Sequence, residues 1–236
     1  SCSVATTNLA DRVSTPVQRA IAEIAPGYSM AETGPIMPPA MGVISGKDPR
    51  SGESFVNQIF LGVTGGAGTP VTDGFLTIIH CGNAGLCRQD SVEVDELHHP
   101  LFVTDRRLLA DTEGAGTQRG APSMRAEFGP IEGCTMKVIY TADGTINPAV
   151  GALGGGPGGL SNAFKRELDG SLTRLPGCYG VELKPGETVV SVSAGGGGYG
   201  EPRQRKAESV LADVREGWIS PERAREVYSL AVSGTA

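Results

Sequence analysis

Residues 191–228 read SVSAGGGGYGEPRQRKAESVLADVREGWISPERAREVY, and the order of residue types in this stretch decides the fold. It begins at the end of an apolar, β-branched run, Thr188 to Val192, which predicts a strand. Gly195 to Gly200 follow, a segment with few side chains, suited to a turn because glycine reaches positive φ without steric cost. Ala207 to Gly217 and Ser220 to Tyr228 then read as two helices. Gly217 ends the first, and Ser220 caps the second with Pro221 at its first position. Strand, glycine turn and helix pair in succession predict an α+β chain, β-rich, with a helical C-terminal segment (201–236) packed on a body formed by 1–200.

The glycines could be taken for a dinucleotide site, because Gly195, Gly197 and Gly200 match G-x-G-x-x-G after a strand. Such a site needs a helix starting within the motif, so that its first amides meet the pyrophosphate. Here Glu201-Pro202-Arg203 intervenes, and no second strand ending in an acid follows about 20 residues on. Gly46-Lys47 is followed by Asp48 rather than Ser or Thr, so it is no P-loop. A structural turn is the better reading, and any ATP chemistry belongs to another chain.

Working back from the quoted stretch, further strands are expected at Phe55–Gly62, Gly74–His80, Ser91–Asp95 and Leu101–Arg106. Met124–Phe128, Thr135–Tyr140 and Gly180–Leu183 complete the set. MRAEFG and TMKVIYT alternate apolar with polar residues, the mark of half-buried strands. Asp73-Gly74, Asp143-Gly144, Asp169-Gly170 and Pro185-Gly186 supply turns. Gly34 to Gly52 is rich in proline and glycine and reads as a crossing loop. Near the start, Leu9, Val13, Val17, Ile21 and Ile24 fall on one stripe at spacings of three and four. This predicts an amphipathic helix capped by Asn8 and ended by Pro26-Gly27, with Pro16 kinking or dividing it.

Composition narrows the function. Of 236 residues, 35 are glycine and 16 proline, without the Gly-X-Y period of collagen and with apolar runs between them. The net charge of −6 argues against a nucleic-acid partner, which requires clustered Lys and Arg. The longest apolar runs fall well short of the ~20 residues of a membrane helix. Five widely spaced cysteines, Cys2, Cys81, Cys87, Cys134 and Cys178, without a CxxC or a secretory signal, point to reduced thiols and a cytoplasmic location.

Chemistry-bearing residues are few. The histidines are His80, His98 and His99. Adjacent histidines on a strand point to opposite faces, so the pair does not chelate one metal, and no metal site is expected on this chain alone. His80 ends an apolar run beside Cys81 and Asn83, where it either lines a pocket or is a satisfied structural residue. Ser1, with its own α-amino group as base, is a candidate N-terminal nucleophile; ordinary trimming of a precursor is the plainer account of that residue.

The stretch 191–228 also resembles the closing pattern of the hydantoinase B / 5-oxoprolinase family, which includes the large subunits of acetone and acetophenone carboxylases. The shared pattern is a GGGGYG run, a proline, and a short Asp-Val-x-x-Gly-x-Ile-Ser helix pair ending in tyrosine. LKPGETVVSV (183–192), DTEGAGTQRGAPS (111–123) and RQDSVEVDELHHPLFV (88–103) resemble family segments too. The resemblance implies a subunit of a heteromeric, ATP-dependent enzyme. A hydantoinase A-type partner would bind ATP with Mg and activate the substrate carbonyl. The B-type subunit would complete the opening of a cyclic amide or, in the carboxylase branch, join a ketone to activated bicarbonate. Family B chains are about twice as long as this one, and their N-terminal half carries a His/Asp motif for a divalent metal. This chain lacks that motif and so looks like the C-terminal half, with metal and most catalytic groups on a companion N-terminal half.

Where the family is richer in histidine this chain has HCGNAGLCR (80–88), a departure that keeps the carboxylase-like branch open as the alternative to ATP-dependent cyclic amide hydrolysis, the reading the resemblance favours. The resemblance brings forward His80 and Arg119 as catalytic candidates beside Ser1, and Thr7, Asn8, Asn83, Arg88 and Glu113 as substrate-binding candidates. Arginine suits a developing carboxylate or phosphate because its fork donates two parallel hydrogen bonds. For Arg119, packing within the turn GAGTQRG is the competing role. A non-catalytic scaffold that only holds the complex together is the competing role for the chain.

Overall fold

The computed structural model describes residues 5–78 and 91–231. Its centre is two antiparallel sheets sharing one core. Nine strands occur in the described residues: β1 (Val43–Lys47), β2 (Ser54–Gln58), β3 (Leu101–Leu108), β4 (Met124–Pro130), β5 (Met136–Thr141), β6 (Asn162–Arg166), β7 (Leu172–Arg174), β8 (Cys178–Leu183) and β9 (Thr188–Val192). One sheet has the order β2-β1-β5-β8, the other β3-β4-β9-β6-β7. In β5, Met136, Val138 and Tyr140 point inwards while Lys137 and Ile139 point out, so the alternation read from TMKVIYT sets the buried face. Ile44, Met136, Val138 and Leu183 from the first sheet meet Leu101, Ala126, Phe128 and Val189 from the second in a single buried cluster. Burial of such apolar faces is the main stabilising term of the domain.

Among the described residues four α-helices flank the sheets: α1 (Ala5–Ile24), α2 (Val92–His98), α3 (Ala207–Arg215) and α4 (Pro221–Glu226). α1 runs through Pro16 as one helix and begins before Asn8 rather than being capped by it. Pro16 has no N–H for the fourth carbonyl back, and the preceding hydroxyls bond into the helix instead. Ser14 Oγ donates to Ala10 O (2.6 Å), and Thr15 Oγ1 donates to Asp11 O (2.9 Å).

Three strand and loop expectations are corrected. Ser91–Asp95 is not a strand: Ser91 caps α2, its Oγ accepting the Val94 N–H (3.1 Å). Glu93 and Asp95 in the first turn favour the helix dipole, and Glu96 Oε1 accepts the Val103 N–H (2.8 Å), returning the chain into β3. The alternation in SVEVD is overridden by this capping. Gly34–Gly52 is more than a loop, since β1 lies inside it between β2 and β5. The run expected as a strand from Gly74 builds no ladder over its described part, where Ile78 forms one isolated bridge with Thr64. β6 and β7, not expected, form a hairpin around Asp169-Gly170, with Gly170 in the left-handed region (φ 83°).

The glycine runs turn out to be a stack. Residues 65–68, 114–121, 151–159 and 194–200 lie alongside one another and exchange backbone hydrogen bonds. Gly68 N–H donates to Gly197 O (2.8 Å), Gly114 N–H to Gly196 O (2.9 Å) and Gly156 N–H to Ala115 O (2.7 Å). The segments approach so closely that side chains are excluded. A Cβ on Gly196 would be driven into Gly66 O, and one on Gly120 into Gly196 O.

Candidate functional site

The polar groups in this fold concentrate where the glycine stack meets α3 and α4. The stack holds the 111–121 segment in place, so Arg119 is buried with its guanidinium against α3. Its Nε donates to Asp213 Oδ1 (3.0 Å) and its Nη1 to Gly120 O (3.2 Å), and its Cζ lies 4.6 Å from the Trp218 ring centroid. Arg205 approaches Asp213 from the other side, Nη2 donating to Oδ2 (2.8 Å). It also grips Asp73 through two parallel bonds, Nη1 to Oδ1 (2.6 Å) and Nη2 to Oδ2 (2.7 Å). Burial works against the Arg205 charge, but the two carboxylates outweigh it and raise the guanidinium above its ordinary value. Asp73 closes the circuit by accepting the Arg119 N–H (2.9 Å).

Glu113 sits in a second, adjoining network. Its side chain is fully buried, and Oε1 accepts from Arg223 Nε (2.6 Å) and Tyr228 Oη (3.0 Å), while Oε2 has no hydrogen-bond partner among the described residues. Burial raises the Glu113 carboxyl above the usual carboxylate range despite Arg223 beside it, and raises the Tyr228 phenol well above its own. Around both networks Ala115, Val210, Ile219, Ala224 and Tyr228 form an apolar cluster. The arrangement fastens the C-terminal helices to the glycine stack with buried, paired charges.

Open surface lies elsewhere. A cavity of about 370 Å³ runs between Thr145, Ile146, Asn162, Arg174 and Pro176, with Arg174 Nη2 donating to Asn162 Oδ1 (3.1 Å). A smaller hollow of about 130 Å³ shares Thr145 and Ile146 and reaches Arg12 of α1, which is ion-paired with Asp143. These side chains could hold a small polar ligand, and none was singled out in the sequence, since they are joined only by the meeting of α1, the 143–147 turn and the β6–β7 hairpin.

Of the residues singled out, Glu113 and Arg119 are thus neighbours on one segment, buried and engaged with α3 and α4. Thr7 and Asn8 lie in the first turns of α1, with Asn8 one turn before Arg12. Ser1, His80, Asn83 and Arg88, with Cys2, Cys81 and Cys87, lie outside the described residues. His99 is held by Asn57, Nε2 to Nδ2 at 2.8 Å, and His98 ends α2. Cys134 is a buried free thiol and Cys178 an exposed one. Among the described residues no three His, Cys, Asp or Glu side chains come together as a metal site. The Gly195–Gly200 amides are all taken by backbone carbonyls, those of Gly159, Ala121, Glu32, Gly156, Gln118 and Ala152 in order. The amides of this glycine run are therefore not open to a nucleotide phosphate.

Two antiparallel sheets, a glycine stack and a charged C-terminal fastening together describe one class of fold. The Hydantoinase B/oxoprolinase family model matches residues 1–202, and the chain belongs to that family. It is 32% identical over 200 residues to caprolactamase subunit beta of Pseudomonas jessenii, covering 81% of this chain and 34% of that protein. The crystal structure of ATP-dependent caprolactamase from the same organism superposes with a TM-score of 0.74 at 27% identity, over 91% of this chain and 38% of that one. Nucleotide-free acetone carboxylase shares the fold, with a TM-score of 0.75 at 18% identity, over 93% of this chain and 33% of that one. The chain thus spans about a third of the length of the proteins it matches. No helix among the described residues is long and apolar enough to cross a membrane.

Proposed function

We propose that this chain is the C-terminal part of a B-type subunit in a heteromeric enzyme that opens a cyclic amide at the expense of ATP. The observation that carries the reading is the 32% identity over 200 residues to caprolactamase subunit beta, a protein whose name states lactam hydrolysis. The likeness to acetone carboxylase, at 18% identity, speaks to the fold and gives the carboxylase reading less support. ATP with Mg would sit on a hydantoinase A-type partner, and a divalent metal on the companion part of the B-type subunit, in the cytoplasm. The occupied amides of the glycine run support placing the nucleotide on another chain. When bound, ATP would supply the activation that makes an amide carbonyl reactive.

The contribution of this chain is then positional. The glycine stack and buried ion network present a stiff body, and His80, Asn83 and Arg88, with Thr7 and Asn8, are the residues proposed to meet the substrate. Arg88 would orient a developing carboxylate through its two-pronged donor geometry. Glu113 and Arg119 are proposed to act through structure, holding the C-terminal helices on the glycine stack. Because both are engaged internally, a purely scaffolding role is the second reading.

The experiment is turnover by the purified complex with caprolactam, hydantoin and 5-oxoproline, following ring opening together with ADP release. Bicarbonate-independent ring opening coupled to ATP is expected. Product formed only from a ketone, bicarbonate and ATP would overturn the hydrolase reading. Loss of turnover in Arg88→Ala with assembly intact counts against the scaffold, and full turnover in Arg88→Ala and His80→Ala counts for it.

A further inference from the structure

The helix α1 is inside out. Leu9, Val13, Val17, Ile21 and Ile24 are 60, 57, 51, 43 and 83% exposed. On a helical wheel Ala10, Pro16 and Ala20 fall in the same arc and are exposed as well, and the exposed charged residues Arg12 and Glu23 flank that arc on one side. The charged side chains reach the body from the edge of this arc. Arg12 pairs with Asp143, Arg19 Nε donates to Glu32 Oε1 (2.8 Å), and Glu23 Oε1 accepts the Leu153 N–H (3.0 Å). The inner face also buries Ala22 among Ala31, Ala67, Ala152 and Tyr199. A surface helix ordinarily turns its apolar stripe to the core and its charges to water, and a continuous exposed apolar strip marks a contact surface. Here the charges anchor the helix, and the stripe is left for something else.

We infer that the outer stripe of α1 is the docking surface for the companion part of the same B-type subunit. The inference rests on the reading proposed above. The occupant follows from length and chemistry. α1 lies within the stretch that matches the family, yet the chain spans only 34% of caprolactamase subunit beta, so most of that subunit has no counterpart here. That part would pack against this one to make a single subunit, and the apolar strip from Leu9 to Ile24 is a continuous exposed face about four turns long that could receive it. The absence of charge on the strip favours a permanent, apolar contact over a transient polar one.

The test is photo-crosslinking in the complex purified with its natural companions. p-Benzoylphenylalanine is placed at Val13 or Val17, with Val56, 74% exposed on β2, as the comparison site. Crosslinks from 13 and 17 to peptides of the B-type companion are expected, with a different pattern or none from 56. Crosslinks to α1 of a second copy, crosslinks only to the ATP-binding subunit, or none while the companion is present overturn this inference and leave the part-subunit reading standing. Absence of any B-type companion from the complex overturns both. In parallel, the double substitution Val13→Glu/Ile21→Glu should lower co-purification of the companion at least tenfold. Hydrogen-exchange protection of β4 and β9 should stay as in the wild type; loss of that protection would show that the stripe packs within this chain instead.

Discussion

Asp213 is the residue on which the C-terminal fastening turns, because two buried guanidinium groups share it. Asp213→Ala leaves Arg119 and Arg205 facing one another without that carboxylate, and breaking a buried pair in this way costs about 3–5 kcal/mol. The expected outcome in thermal melting is a loss on the order of 10 °C. Glu113 gives the opposite contrast. Burial raises its carboxyl, and its Oε1 is the acceptor shared by Arg223 and Tyr228. Glu113→Gln, which keeps an acceptor for Arg223 and Tyr228, is expected to stay within about 1 kcal/mol of wild type at neutral pH, whereas Glu113→Ala loses roughly 1–3 kcal/mol. Urea unfolding of the two variants checks this. Sequence reasoning reached Glu113 and Arg119 through family resemblance, and a packing role for Arg119 through its glycine turn, but not their partners. Their partners Asp213, Arg223 and Tyr228 stand 94, 110 and 115 residues away, and no local pattern carries that pairing.

At the scale of elements, β4, β9 and β6 are tied on one face by Glu127. Burial pushes this carboxyl up, but hydrogen bonds from Arg166, Thr188 and Arg125 outweigh it and hold the group down at about 2. A carboxylate held below its unfolded value, about 4.3, stabilises the fold above that value and loses the contribution as pH falls through the folded one. The stability difference between wild type and Glu127→Gln should therefore be full at about pH 6 and shrink steadily from about pH 4 towards about 2, as followed by denaturant midpoints. The glycine stack is the other element-level device. Gly196→Ala is expected to prevent recovery of folded protein, because Gly66 O occupies the place of the new methyl. Gly170→Ala meets no atom and bears only the strain of its positive φ, on the order of 1 kcal/mol.

Periodicity and capping made the strands β3, β4, β5, β8 and β9 and the pair α3–α4 legible in the sequence. β1 was hidden, because Gly42, Gly46 and the prolines before them read as loop while β2 and β5 supply the pairing that makes VISGK a strand. α2 was hidden for the reverse reason, a period of two overruled by the Ser91 cap. The glycine clusters read as separate turns, since only the tertiary structure brings them side by side.

At the scale of the molecule, the proposed role makes this chain one part of a larger body. Its family, its span of about a third of its relatives, and the outward apolar face of α1 all accord with a body larger than the residues given. The catalytic reading depends on that completion, because ATP and the divalent metal are proposed to sit on the other parts. Native mass spectrometry of the purified material, with peptide identification of each chain, tests this most directly. The account predicts this 24.3 kDa chain in a heteromeric assembly with a B-type companion and an ATP-binding A-type subunit. A stable species of 24.3 kDa alone, active or not, would contradict it.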